Sequence, residues 1–271
     1  MRQLPIGQTI NHMLASTYNN MGFAVRAQWP WVAILVAAYL FLPLIAGVPL
    51  NMPPEQMAQM FKVDPGFAAR FFILIFAIAL ISVLALSSIA VNWHRYILLN
   101  EVPQGMEKLR IDGSVWRYFG NALLIGLIVL PALIPIMFLG FAVNAVTSPV
   151  LFLAVMLIYM VVAVVPLFYR LSIKLPAVAL GRHDFGFSDA MQSSTQNWWQ
   201  LVAVGFLVTA ISWTVDFVLK MLTLSFAATL GASMGMWADV IVRTGVNWFM
   251  GVIGITLFTS LYGFFVEKRD F

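Results

Sequence analysis

Cysteine is missing from all 271 positions. The chain therefore has no disulfide, no thiol nucleophile and no thiolate metal ligand. Charge is nearly as scarce: Asp, Glu, Lys and Arg make up 10% of the residues, where a soluble domain carries about 25%. Too little charge is present to clothe a water-facing surface. Histidine occurs three times, at His12, His94 and His183, and none has a second histidine or a carboxylate at metal-ligand spacing within an apolar helix. Also lacking are Gly-Xaa-Ser-Xaa-Gly, His-Glu-Xaa-Xaa-His, Walker-type and dinucleotide-binding glycine patterns. These absences disfavour an enzyme and imply no cofactor and no metal.

What is there instead is apolar residue, 62% of the chain. This is the composition of a polytopic membrane protein. The excess of 15 Lys+Arg over 11 Asp+Glu calls for no nucleic-acid partner, because basic loops against anionic lipid account for it. Met1 to Asn20 lack the uninterrupted apolar core of a cleavable signal peptide, so insertion is expected to rely on the spans themselves.

A helix needs about 20 apolar residues to cross a hydrocarbon core of roughly 30 Å. The gaps between charges give six spans in one all-α domain, at about 31–49, 71–93, 119–143, 150–169, 199–216 and 244–266. No charge occurs between Arg117 and Arg170, and "NAVTSP" (Asn144 to Pro149) is the polar turn that makes spans three and four a hairpin. The run Met221 to Ala238, short and rich in Gly, Ser and Thr, is expected to be re-entrant or surface-lying. Six spans put both termini on one side. That side holds eleven of the fifteen basic residues, and the other holds Lys62, Arg70, Lys220 and Arg243. The bias is expected to place both termini on the cytoplasmic side.

Each odd-numbered span is entered through tryptophan. In the N-terminal segment, 1–28, Ile6, Ile10, Met13, Leu14, Thr17, Tyr18 and Met21 recur at helical spacing, while Gln8, Asn11, His12, Asn19 and Asn20 fill the remaining arc, as in an amphipathic helix lying in the headgroup layer. "RIDGSVWRYFGNALLIGL" and "FSDAMQSSTQNWWQLVAVGFL" lead into spans three and five in a similar way. Two readings fit: three repeated units of an in-plane helix plus a hairpin, or the ordinary gathering of Trp, Lys and Arg at the cytoplasmic ends of spans. Trp29, Trp31, Trp93, His94, Arg95, Trp116, Arg170, Trp198 and Trp199 are the expected interface anchors.

"NMPPEQMAQM" (Asn51 to Met60) after span one and "LPAVALGRHDFGFSDAMQSSTQNWWQL" (Leu175 to Leu201) after span four set a helix-exit proline, a Gly-containing turn and a Ser-rich amphipathic helix in order. In this layout the chain resembles the YciC-type six-span bacterial inner-membrane proteins, related to the membrane domain of some glycerophosphoryl diester phosphodiesterases. The resemblance spans nearly the whole chain and implies a fold and a membrane. It carries no activity across, since those enzymes keep their chemistry in a separate soluble domain.

The remaining polar features are few. "RHDFG" (Arg182 to Gly186) reads as a solvated turn. Asp216 with Lys220 and Asp239 with Arg243 are each four apart, which suits ion pairs near the outer surface, though an outer vestibule is the alternative. Pro43, Pro131, Pro135 and Pro166 interrupt spans, either to shape a packed bundle or to open a path. Gly231 and Gly235 form a small-residue spacing at the outer end. Together these favour a non-catalytic accessory, assembly or scaffold component, held to lipids, other inner-membrane proteins or a second copy of itself. The alternative is a transporter or channel for a small or lipid-like solute. Ser82, Ser87, Ser88 and Thr209 facing one cavity would favour the transporter, and a dry bundle with an outward apolar groove the accessory component.

Overall fold

Long apolar stretches that must satisfy their backbone groups without water have helix as their means of crossing a bilayer in this composition. The computed structural model describes residues 2–49, 52–136, 138 and 149–271, and 87% of the structure is helical, with no strand among those residues. Six helical runs are long and apolar enough to span. The protein is an all-α, multi-pass membrane protein.

Helix α1 (Ile6–Asn19) leads into α2 (Met21–Ala46), which ends on Gly47 in the left-handed conformation. The short α3 (Pro54–Val63) precedes α4 (Pro65–Leu99). Asp64 starts α4: its Oδ1 accepts from the backbone N–H groups of Gly66 and Phe67 at 2.9 and 3.2 Å, and its other oxygen pairs with Arg70 at 2.6 Å. That arrangement satisfies two of the helix's free donors, and the hydrogen bond from Arg70 holds the Asp64 carboxyl below the usual carboxylate range. Asp112 caps α5 (Gly113–Val129) in the same manner.

The prolines act locally. Pro131 lies in a 3-10 turn, Leu130–Leu133, and the Tyr159 hydroxyl donates to the Ala132 carbonyl there at 2.8 Å. Pro166 follows a five-residue π turn, Met160–Val164, that joins α6 (Pro149–Tyr159) to α7 (Val165–Ser172). The kinks are thus absorbed by altered turns and one side-chain donor. Of the expected turn Asn144 to Pro149, all but Pro149 lies outside the described residues.

After α8 (Lys174–Ala179) and α9 (Phe187–Ser193), the last two spans are α10 (Thr195–Gly231) and α11 (Ser233–Phe265). Helix α11 is the axis of the bundle: 67% of its most apolar window is buried, against at most 28% in the other spans. It meets α1 at Thr256, α2 at Trp248, α4 at Thr259 and α7 at Phe258. Small side chains permit this, and a Cβ at Gly251 would stand 3.3 Å from Leu86.

Three expectations are corrected. Met221 to Ala238 is neither re-entrant nor surface-lying: α10 and α11 continue through it and reverse at Gly231, whose φ of 77° and ψ of 166° interrupt the helix. Most spans outrun the charge-free windows at one end, α2 starting at Met21 and α4 running from Pro65 to Leu99, because charged residues near the ends join the helices; α2 stops short at Ala46. The three in-plane segments are not equivalent either. α1 is a separate helix and α9 a short one, but "RIDGSVWRYF" runs straight into α5 behind a 3-10 turn, Gly105–Leu109.

Candidate intramembrane cavity

Helices α4 and α11 run parallel in a fixed register. His94 meets Thr259 at 2.8 Å, 165 residues apart, and Leu86 touches Gly251 at the same offset. That register sets Arg243 level with Ile78, eight residues and about 12 Å deeper than Arg70. Asn247 is level with Ser82. It stands 12 residues, about 18 Å, from the Thr259 layer, and further still from the Gly231 turn.

At this depth α2, α4 and α11 part around a cavity of about 310 Å³. Tyr39, Ser82, Arg243, Thr244, Asn247 and Trp248 give it polar walls, with Leu35, Leu86 and Ile89 among its apolar ones. The Tyr39 hydroxyl and Ser82 Oγ are 3.4 Å apart. Trp248 Nε1 donates to Gln28 Oε1 at 3.0 Å, closing the floor, and Thr244 returns its hydroxyl to the Val240 carbonyl at 2.7 Å. Arg243 Nε donates to both Asp239 oxygens at 2.8 and 2.9 Å, and Thr223 of α10 bonds to both members of the pair. Asn247 is exposed and has no hydrogen-bond partner among the described residues. A bare amide at this depth needs water or a solute to satisfy it.

The second charge pair expected from sequence does not form. Asp216 and Lys220 are both exposed and make no ion pair, whereas Asp239 and Arg243 are held together by Thr223 across the α10–α11 hairpin. Nor do the four hydroxyls converge. Ser82 lines this cavity, Ser88 accepts from Trp31 Nε1 at 2.9 Å, and Ser87 and Thr209 each border a different apolar groove.

The anchors divide as well. Trp29, Trp116 and Trp199 face outward and Trp198 is half-buried. Trp31, Trp93 and His94 are interior, His94 with no exposed surface at all, which corrects the anchor reading for these three. Trp31 and His94 hydrogen-bond inside the bundle, whereas Trp93 serves packing with its Nε1 unpartnered among the described residues. His94 bonds Thr259 through Nδ1 and Tyr118 OH, at 3.2 Å, through Nε2. Arg95 bonds Glu101 at 2.5 Å and the Ala179 carbonyl at 3.1 Å, and Arg110 reaches Glu101 at 3.1 Å; the bond from Arg95 holds the Glu101 carboxyl below its ordinary range. Arg170 ties α7 to the Met191 carbonyl and Ser194.

At the "RHDFG" turn Arg182 pairs with Asp184 at 3.0 Å and donates to Tyr262 OH at 2.9 Å, raising its own pKa and lowering that of Asp184, while His183 is exposed. Among the described residues no group of three His, Asp or Glu converges as a metal site.

Sequence reading missed the cavity because it weighed Asp239 and Arg243 alone. The cue was present in "DVIVRTGVNW": Asp239, Arg243 and Asn247 recur every four residues and share one helical face. Comparison with protein-family models, curated proteins and solved structures gives no match.

Proposed function

We propose that the protein binds a small polar or lipid-like solute inside a bacterial inner membrane, both termini cytoplasmic, and acts as a transporter or channel for it. The carrying observation is Asn247, an unpartnered amide in mid-span, in the wall of a cavity that also offers hydroxyls and the edge of a guanidinium. Polar and ionised groups at such depth are costly and serve solute paths more often than packing. The eleven-to-four distribution of basic residues supports the orientation. The resemblance to the YciC-type family rests on layout alone and adds no activity.

The test is extraction of small molecules from protein purified in mild detergent, comparing wild type with Asn247→Leu and Arg243→Gln by mass spectrometry. A species retained by wild type and lost from folded Asn247→Leu supports the reading. Identical extracts from all three sink it.

A second reading, the accessory or scaffold component, is favoured by a separate observation. Between α4, α5 and α11 an apolar groove of about 300 Å³ is bordered by Ser87, Ala122, Gly251 and Gly254, and an adjoining one of about 450 Å³ by Gly126. Small residues along a lateral groove suit a transmembrane helix of a partner protein or a second copy. Ser87→Phe and Gly126→Leu should then release a co-purifying chain while leaving insertion intact.

A further inference from the structure

We propose that a cleft at the Arg26–Lys108 end of the bundle binds the phosphate of an anionic amphiphile. The 3-10 turn Gly105–Leu109 sits against both α2 and α4. Asn92 of α4 holds it there, donating from Nδ2 to the carbonyls of Glu107 and Lys108 at 3.0 and 3.4 Å. Between the turn and the helices lies a cleft of about 370 Å³, bordered by Phe23, Arg26, Tyr96, Val102, Gly105 and Lys108. Its aromatic wall is rigid: Phe23 stacks on Tyr96 with centroids 3.6 Å apart and planes at 8°, and Tyr96 OH is fixed by donation to Asn20 Oδ1 at 2.9 Å.

Two cations border the cleft, neither in a salt bridge among the described residues. Arg26 spends only Nε, on the Gly22 carbonyl at 3.0 Å. Neither its terminal amines nor Lys108 Nζ has a carboxylate or other hydrogen-bond partner among the described residues. The neighbouring carboxylates are engaged elsewhere. Glu101 is taken by Arg95 and Arg110, and Glu107 accepts from the Gln104 backbone N–H at 2.9 Å. Unlike Arg70, Arg95, Arg182 and Arg243, which carry a carboxylate each, Arg26 and Lys108 line one cleft with terminal nitrogens open to an anion from outside the chain.

A planar guanidinium beside a point-charge ammonium suits a phosphate, with several acceptor oxygens and at least one full charge. The surroundings favour an amphiphile as its carrier. Trp29, Val102 and Met106 are 57%, 51% and 81% exposed on the same end of the bundle, apolar surface that acyl chains would cover and a free ion would leave bare.

The experiment uses the full-length protein in a neutral maltoside detergent. Binding of phosphatidylglycerol, phosphatidylcholine and inorganic phosphate is followed by native mass spectrometry and by thermal stability. Phosphatidylglycerol should bind at least about tenfold more tightly than the zwitterionic lipid, with the Arg26→Gln/Lys108→Gln protein losing about that factor, as expected for two interfacial cations. Saturable binding of inorganic phosphate alone, lost in the same variant, would support the anion site with a free phosphate as its source. Equal affinity for the two lipids in wild type, or unchanged phosphatidylglycerol binding by the folded double variant, overturns the proposal. Should the double variant not fold, Lys108→Gln alone must weaken phosphatidylglycerol binding. No loss there overturns it equally.

Discussion

The hydrogen bond between His94 and Thr259 runs in one direction only. Thr259 gives its single hydroxyl proton to the Ile255 carbonyl at 3.0 Å, so at 2.8 Å its oxygen can only accept from His94 Nδ1. Nε2 is then the acceptor, and Tyr118 OH donates to it. One turn of α11 repeats the device: Ser260 donates to the Thr256 carbonyl and accepts from His12 Nδ1 at 2.9 Å. The His94 ring is then a neutral imidazole with its proton on Nδ1, and His12 likewise presents its Nδ1–H to Ser260.

This assignment predicts that His94→Ala lowers stability by about 1–2 kcal/mol, the cost of stranding buried hydroxyls in an apolar interior. Tyr118→Phe, which removes one donor and strands only Nε2, should cost less. Thermal unfolding in detergent measures both. A His94→Ala protein as stable as wild type would mean that the trio adds nothing to the fold.

His12 yields a pH dependence. Burial beside α11 lowers its pKa below the ordinary value of 6.5, so the unfolded chain binds this proton more readily than the folded one. The sign follows: stability is complete above about 6.5 and declines as pH falls from there toward the lowered folded value. Unfolding scans across that window should show the decline in wild type and a flatter profile in His12→Gln. A slope unchanged by the substitution would assign the effect to other groups.

Gly231 tests the hairpin. Its φ of 77° with ψ of 166° lies in a region essentially confined to glycine, where a side chain costs about 1–3 kcal/mol. Gly235 is small for another reason: its Cβ would meet the Phe226 carbonyl oxygen at 2.9 Å and Ala227 Cα at 3.0 Å. Gly231→Val should therefore destabilise through backbone strain, and Gly235→Val through steric conflict between α10 and α11. If neither changes the melting temperature, the reversal of the chain does not depend on this geometry.

Much of the architecture was legible in the chain, and the reasons are physical. Apolar length fixes the number of spans, since each must cover the same hydrocarbon thickness. Asp64 before Pro65 and Asp112 before Gly113 announce helix starts by their capping chemistry. The reversal at Gly231 was harder, because a single glycine between two apolar runs looks the same whether the chain dips, lies flat or turns. His94 was hidden by its neighbour: Arg95 marks the end of a span, but only packing decides which of two adjacent side chains turns inward. The cavity was partly visible in the four-residue recurrence along α11. Tyr39 and Ser82 come from other helices, and nothing local to their sequences brings them to Asn247.

The absence of cysteine permits a direct test of whether that cavity is wet. A thiol placed at Asn247 reacts with a membrane-impermeant maleimide only if water reaches it, because the thiolate is the reactive form. Phe76→Cys, at a position 70% exposed on the lipid-facing side of α4 and within two residues of the Arg243 level, is the control. Asn247→Cys should label and Phe76→Cys should not. Lys62→Cys should label in intact cells, and Lys108→Cys and Arg182→Cys only after the membrane is opened, which fixes the side from which reagent arrives. Labelling of Asn247→Cys in intact cells opens the cavity toward the Lys62 side, and labelling only after opening places its mouth on the Lys108 side. Protection of Asn247→Cys under both conditions, in protein that inserts normally, makes the cavity dry and removes the observation on which the solute reading stands.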